Sequence, residues 1–398
     1  MNKVVFKGSF TQQEPIPEAA IAAAVEVMRS GRLHRYNTLG DALSETAVFE
    51  QAYAAWQGAK YCLALASGGQ ALQIGMRAAG VEAGDTVLTN AFTLAPVPGA
   101  IAAVAAHPVF VETDETLRLD LEDLEVKLAD TGARWLLLSH MRGHLCDMDR
   151  LTQIAEAHGV TIIEDCAHTM GALWNGVRSG NHGAVGCFST QTYKHINSGE
   201  GGILTTDDPV LMARAIVLSG SYMLYERHGA APDAARFEQV RLATPNMSAR
   251  MDNLRATLLL TQLEGLEENV QRWNARYDAC EKVLQGSPHI EPPRRPAQES
   301  KVGSSIQFRI PALDADGCER FIALAASRGV EVKWFGAAEP RGFTSTHRSW
   351  RYATAQNLPK SDAVFATLFD MRLPLTFSVE ECRIIGGILA DCAHDMLG

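Results

Sequence analysis

Between positions 61 and 163, short apolar runs alternate with longer stretches of helical pattern. The strand-like runs are 61–66, 86–88, 108–111, 135–139 and 160–163. Helical patterns fall between them around 70–79, 97–105, 119–129 and 149–157. Alternation at this pitch predicts a mainly parallel sheet with helices on both faces. In such open sheets a ligand sits beyond the carboxyl ends of the strands, so those ends are where chemistry is sought.

Two segments stand out there. The apolar run 160–163 leads into Glu164-Asp165-Cys166-Ala167-His168. The run 185–189 leads into Ser189-Thr-Gln-Thr-Tyr-Lys194-His-Ile-Asn-Ser, followed by Gly199-Glu200-Gly201-Gly202 and a further short strand to 205. A lone lysine is usually a surface residue, and a lone aspartate usually caps a helix. A lysine on a glycine-rich turn opposite an aspartate at a strand end is the pairing that pyridoxal phosphate needs. The amine condenses with the cofactor aldehyde, and the carboxylate keeps the pyridine nitrogen protonated so that the ring accepts electrons. Lys194 and Asp165 are therefore the candidate catalytic residues. His168 joins them as a partner for the cofactor's phenolic oxygen or for Asp165. Ala167 is small enough to lie flat against the ring. Ser67-Gly68-Gly69-Gln70 lies between a strand and a helix, where free N–H groups bind phosphate, and Ser189 is a further phosphate ligand.

The rest of the chain narrows the setting. Its 36 basic and 46 acidic residues give a net charge of -10, which argues against a nucleic-acid surface. No apolar run approaches the length of a membrane span, and Met1-Asn-Lys-Val-Val-Phe6 lacks a signal-peptide core. The eight cysteines show neither a C-x-x-C pair nor metal-like spacing, so reduced thiols in a cytoplasmic protein are expected and no metal site is.

The segment 17–30 reads as a helix with proline at its start and Gly31 at its end, and a second helix is expected around 45–56. One long helix is expected over 252–284, where Leu254, Leu258, Leu259, Leu263 and Leu266 repeat at helical spacing. The proline-rich stretch 288–300 reads as a linker, and 306–332 as a compact β-α-β unit. The expected division is a large cofactor-binding domain, 1–249, and a bridging helix with a small C-terminal α+β domain, 250–398.

Taken in order, these blocks resemble the PLP-dependent sugar aminotransferases of the DegT/StrS type. Residues 64–72 look like that family's Ser-Gly-Thr-Ala-Leu phosphate turn. His140 to Asp149 is similar to its His-x-x-Gly-x-x-x-Asp-Met-Asp stretch. Glu164 to Gly171 and Phe188 to Gly202 match its Glu-Asp-x-Ala-His and Lys…Gly-Glu-Gly-Gly blocks. Asn246-Met-Ser-Ala-Arg250-Met251 and Leu373-Pro374-Leu375 are similar to its later motifs. The resemblance implies a fold-type I α/β enzyme working as a homodimer, with active sites at the subunit interface. It also implies that Asn246 reaches the cofactor phosphate of the neighbouring subunit. An amino acid, glutamate or glutamine, would donate its amino group to a ketone or aldehyde, most often a keto-sugar.

Some positions depart from the pattern. Gly69 stands where threonine is common, and Arg255 where glutamine is. Leu94 occupies the place of an aromatic that stacks on the ring, so either Leu94 packs there or Phe92 does the stacking. Related dehydratases are expected to carry histidine for the lysine, whereas Lys194 is present and His195 follows it. A non-catalytic protein on this fold would be expected to have lost Lys194 or Asp165. A nucleotide-binding oxidoreductase would show G-x-G-x-x-G after an early strand, which is absent. The acceptor stays open between nucleotide-sugars, cyclitols and other carbonyl compounds. Arg32, Arg35, Tyr36, Arg227, His228, Trp334 and Arg341 read as solvated loop residues within reach of a substrate, and Lys333 and Arg348 as candidates for an anionic substrate group.

Overall fold

Seven strands build the sheet that the alternation predicts. The computed structural model describes residues 4–398, so Met1 to Lys3 lie outside the described residues. In chain order the first strands are β1 (Tyr61–Leu65), β2 (Thr86–Asn90), β3 (His107–Val111), β4 (Trp135–Ser139) and β5 (Thr161–Asp165). The short β6 (Leu173–Trp174) and β7 (Val177–Arg178) follow, then β8 (Val185–Ser189) and β9 (Gly202–Thr206). The large sheet has the order β1-β9-β8-β5-β4-β2-β3. Only β9 opposes its neighbours; the other pairings are parallel.

The helices of this part are α1 (Glu18–Ser30), α2 (Glu45–Gln57), α3 (Gly68–Ala79), α4 (Pro96–Ala103), α5 (Leu121–Thr131), α6 (Met148–His158), α7 (Pro209–Ser219) and the short α8 (Ala235–Glu238). Most carry the signals that start and stop helices. Ser44, Ser67, Asp120, Asp147 and Asp208 accept backbone N–H groups at their N-termini. Alternate side chains of one strand feed opposite cores, as a pleated strand between two helix layers must. Leu136 and Leu138 of β4 pack with α2, α5 and α6, whereas Leu137 packs with α3, α4 and α7.

The second half departs from the sequence expectation in three places. The expected helix over 252–284 is two helices, α9 (Asn253–Glu264) and α10 (Leu266–Leu284), interrupted at Gly265. Their apolar stripe is continuous, so periodicity does not reveal the break. The proline-rich segment expected to be a linker is fastened. It ends in β10 (Glu299–Ser300), which pairs with β6. The buried Glu299 carboxylate accepts from Leu145 N at 3.0 Å, Arg118 Nη2 at 3.0 Å and Arg295 Nη1 at 2.9 Å.

The expected β-α-β unit is β11 (Ser305–Arg309), α11 (Ala315–Ser327) and β12 (Lys333–Trp334), but the two strands are not neighbours. After α12 (Pro359–Phe365), β13 (Leu368–Arg372) inserts between them and opposes both. The chain closes with α13 (Val379–Leu397). Phe6 and Phe10 belong to the core of this second unit, and each meets Phe377 edge-on at 4.9 Å. No helix among the described residues is long and apolar enough to cross a membrane.

Glu299 ties the small sheet's lead-in strand to the loop after β4, and its loss strands two cations. Glu299→Ala is expected to cost about 3 kcal/mol, because breaking a buried pair leaves an uncompensated charge. Urea unfolding checks this, and a change under about 0.5 kcal/mol would contradict it.

Candidate active site

Lys194 is carried on the loop between β8 and β9. The loop is held from three sides. Gln262 of α9 clasps Asn197 by its N–H at 2.9 Å and its carbonyl at 2.8 Å. Ile196 is buried in the main core. The His195 ring stands edge-on to Trp273, with centroids 5.1 Å apart. The lysine amine therefore starts from a fixed backbone and turns into a cavity of ≈ 60 Å³ lined by Leu94, Arg142, His168, Tyr193 and Arg372 among others.

Lys194 Nζ lies 2.8 Å from His168 Nε2. His168 Nδ1 accepts the Arg142 N–H at 3.2 Å, so in a neutral ring the proton sits on Nε2 and points at the lysine nitrogen. Burial, then the charges of Lys194 and Arg142, hold His168 well below the usual imidazole range. Burial, then Arg142, lower Lys194 to about 7, with Asp165 opposing and Arg372 adding to the effect. Above pH about 7 the contact is thus an N–H donated to the lone pair of a neutral amine.

Asp165 ends β5, buried. Its Oδ2 accepts from Ser139 Oγ at 2.9 Å and its Oδ1 from Ala167 N at 3.1 Å. Ser139 is set in turn by Asn90, whose Oδ1 accepts the Ser139 N–H at 2.8 Å. The carboxylate is held in one orientation and keeps further accepting capacity. Its neighbour Glu164 is structural. It faces His140 Nε2 at 2.9 Å and accepts N–H groups from Gly180, His182 and Gly183. Glu164, His140 and Cys166 bring metal-ligand atom types within 4.8 Å of one another, but these bonds already occupy both carboxylate oxygens.

The turn at α3 is tightly built. Ser67 Oγ accepts the Gln70 N–H at 3.1 Å, while Gly68 and Gly69 open the helix with N–H groups that have no carbonyl one turn back. A Cβ on Gly68 would come within 2.8 Å of Ser189 Cβ, and one on Gly202 within 2.2 Å of the Ser67 carbonyl oxygen. Glycine at both positions lets the helix start, the end of β8 and the start of β9 meet. The groups brought together are a helix N-terminus with a serine beside it, a buried carboxylate, and a neutral amine next to a neutral imidazole. That set suits the phosphate, the pyridine nitrogen and the aldehyde of pyridoxal phosphate.

Other expected residues fall elsewhere. Leu94 lines the Lys194 cavity, but Phe92 does not. Phe92 is buried with its centroid 5.2 Å from Phe335 and 5.9 Å from Phe365, which commits its ring to a separate cluster. Asn246 is exposed, and its Oδ1 accepts the Ser248 N–H at 2.9 Å. It is not among the residues lining the Lys194 cavity of its own chain. Arg35, Tyr36, His228 and Trp334, expected to be solvated, are buried. Arg35 forks onto Glu50 at 2.6 and 2.8 Å, with His228 alongside. Arg348 is exposed and paired with Asp362, away from the cavity, whereas Lys333 approaches Phe343 at its edge. Sequence reasoning passed over Arg142 and Arg372. Arg142 lies inside a motif that it used, His140 to Asp149, and Arg372 directly precedes another, Leu373–Leu375, so their position was a readable signal.

The mainly parallel seven-stranded sheet belongs to a fold-type I aminotransferase fold. A solved aminotransferase, TlmJ from Streptoalloteichus hindustanus, superposes with a TM-score of 0.83 at 23% identity, covering 98% of this chain and 100% of that one. The chain belongs to the DegT/DnrJ/EryC1/StrS aminotransferase family, whose profile matches residues 15–388. It is 33% identical over 286 residues to a UDP-2-acetamido-2-deoxy-3-oxo-D-glucuronate aminotransferase of Pseudomonas aeruginosa, covering 70% of this chain and 74% of that one. It is also 33% identical over 266 residues to an L-glutamine:2-deoxy-scyllo-inosose aminotransferase of Streptomyces lividus, covering 66% and 62%.

The lowered lysine has a direct consequence. A lysine amine reacts only when neutral, so its labelling rises about tenfold per pH unit below its pKa and then levels. Labelling of the protein, without added cofactor, by an amine-acylating reagent should plateau at Lys194 above pH about 7. An ordinary lysine keeps gaining reactivity to about pH 10. Peptide mapping across pH 5 to 10 reads this out, and a Lys194 profile matching the surface lysines would contradict the desolvated site.

Proposed function

We propose that this aminotransferase uses pyridoxal phosphate to move the amino group of glutamine or glutamate to the carbonyl of a keto-sugar or cyclitol. The observation that carries the reading is the 2.8 Å contact of Lys194 Nζ with His168 Nε2 in a buried site that lowers the lysine to about 7. When bound, the cofactor supplies an aldehyde that captures amines and a ring that accepts electrons.

The chain's own groups do the rest. The N–H groups of Gly68 and Gly69 hold the phosphate at the start of α3, with Ser67, Gln70 and the Ser189 hydroxyl beside them. Asp165 places a fixed negative charge at the pyridine nitrogen in surroundings that keep water away from it. Ala167 and Leu94 would offer small apolar surfaces to the ring. His168 Nε2, which faces Lys194 Nζ here, would be the donor available to the cofactor's phenolic oxygen. Lys194 Nζ, as a free amine, would accept a proton from the substrate carbon and return it nearby. An amine near pKa 7 is suited to both halves of that task.

We also propose a homodimer, in which the partner subunit's Asn246 completes the phosphate site. Asn246 is exposed beside Tyr222, Met223 and Ser248, all exposed and all with positive φ (53°, 62° and 52°). Non-glycine residues keep such conformations only when their surroundings hold them. Leu242 is exposed to 86% on the same stretch. The eight cysteines are free and buried, which suits a reducing, cytoplasmic setting. The names of the two relatives support a keto-sugar or cyclitol acceptor, and one of them names glutamine as donor.

Visible absorption tests this. Protein with added pyridoxal phosphate should develop the band of the lysine-bound cofactor and lose it on mixing with L-glutamine or L-glutamate. Lys194→Ala should abolish the band and cut turnover by at least about 10³-fold. Asp165→Asn, which keeps shape and removes charge, should cut turnover by about 10²-fold or more. A wild-type band indifferent to every amino donor would contradict the transfer reaction, and full activity in Lys194→Ala would overturn the assignment.

A further inference from the structure

The small sheet shows different faces to its two sides. In β13, Phe369 and Met371 enter the C-terminal core, so Asp370 and Arg372 point the other way. Gln307 and Lys333 stand opposite Asp370 in register, and Ser305 stands opposite Arg372. This polar face meets Arg142, on the loop after β4. Arg142 Nη2 lies 2.7 Å from Asp370 Oδ2. Asp370 Oδ1 accepts from Gln307 Nε2 at 2.8 Å, and Gln307 Oε1 faces His144 Nε2 at 2.8 Å. Arg142 sits at a φ of 54° with only 6% of its side chain exposed, and its Nε and Nη2 both lack a hydrogen-bond partner, Nη2 meeting Asp370 as an ion pair.

Arg372 comes to the same cavity from the opposite wall. Its guanidinium lies 3.5 Å from the Tyr193 ring centroid and 5.2 Å from that of Phe343, close over both rings, with Tyr193 also acting on it as a hydrogen-bond partner. It forms no salt bridge to a carboxylate among the described residues. Lys333 Nζ lies 4.9 Å from the same Phe343 ring. Burial lowers Lys333 to about 8, with Asp370 opposing and Arg142 and Arg372 adding. Two acidic groups act on this set: Asp370, already engaged with Arg142, and Glu331, the weakest of the influences on Lys333. A half-buried pocket with an uncompensated excess of cations favours an anionic ligand. Two guanidinium planes, one with a buried unpartnered Nε, fit a carboxylate better than a neutral hydroxyl.

We propose that Arg142 and Arg372, with Lys333 behind them, form a carboxylate subsite beside Lys194, and that the carbonyl acceptor is accordingly an acidic one, a keto-sugar acid rather than a neutral sugar or cyclitol. The proposal rests on the aminotransferase reading and adds the acceptor's charge to it. The α-carboxylate of the amino donor is the other source of the same chemistry, and assaying the two substrates separately distinguishes them.

The test uses matched binding probes on the protein loaded with pyridoxal phosphate. UDP-glucuronate and UDP-glucose form one pair, free D-glucuronate and D-glucose the other, and each pair differs at a single carboxylate. Calorimetry should show the acid of at least one pair binding about tenfold or more tighter than its neutral mate. Arg372→Gln should bring that ratio near one. Lys333→Gln should give a smaller loss in the same direction. Arg383→Gln, at an exposed arginine paired with Glu380, should leave the ratio intact. Equal binding within both pairs, or no binding of any probe, overturns the subsite. If Arg372→Gln slows the L-glutamine half-reaction by as much as it weakens acid binding, the carboxylate recognised is the donor's and the acidic acceptor is overturned. Failure of the underlying reading appears separately, as wild-type protein whose band ignores L-glutamine.

Discussion

A lysine amine brought down to about 7 among positive charges is the condition on which the site depends. Lys194 Nζ would ordinarily be protonated at neutral pH. Desolvation and the nearby Arg142 and Arg372 make that proton costly, and the N–H of His168 gives the bare nitrogen a partner. Asp165 pulls the other way but does not win. The outcome is a nucleophile ready at neutral pH and a base of matching strength. It requires a rigid loop, because a lysine with a mobile backbone would escape to solvent and recover its charge. Gln262, Ile196 and the His195–Trp273 contact supply that rigidity.

The two sheets contribute unlike things. The large sheet fixes position. Its strand ends carry Asp165 and Ser189, and the close approach at Gly68 and Gly202 brings the start of α3 to them. The small sheet sets the electrostatics. Through Asp370 and Gln307 it holds Arg142, and through β13 it presents Arg372. The balance at Lys194 therefore depends on how the second unit is docked. That docking is built from buried parts: Glu299 with its arginines, and Phe6 and Phe10 of the chain's start seated beside Phe377.

The large sheet was legible because each strand between 61 and 163 is a short run bounded by clear helix signals. Local pattern and global fold agree there. The second half was harder for physical reasons. The apolar stripe at Leu254, Leu258 and Leu263 runs on through the Gly265 break, so a period of 3.6 carries no trace of it. β13 comes long after β11 and β12 and still inserts between them, and no local pattern encodes which strand takes the middle. Lys194, Asp165 and His168 were legible as chemistry because a few residues of context singled each out, and the fold brings Lys194 and His168 into contact. Phe92 and Leu94 differ only in which one the turn after β2 sends inward, and a sequence does not show that. Arg142 and Arg372 lie far apart in the chain, and their common purpose exists only after the small sheet docks.

The account's central claim is that Lys194, and no other lysine, is the group that binds the cofactor. Borohydride reduction of the protein after incubation with pyridoxal phosphate, followed by peptide mapping, tests it directly. The account predicts a single stable adduct on the peptide that carries Lys194, lost when the site is blocked beforehand by acylation at neutral pH. An adduct spread over surface lysines, or one absent from Lys194, would contradict it.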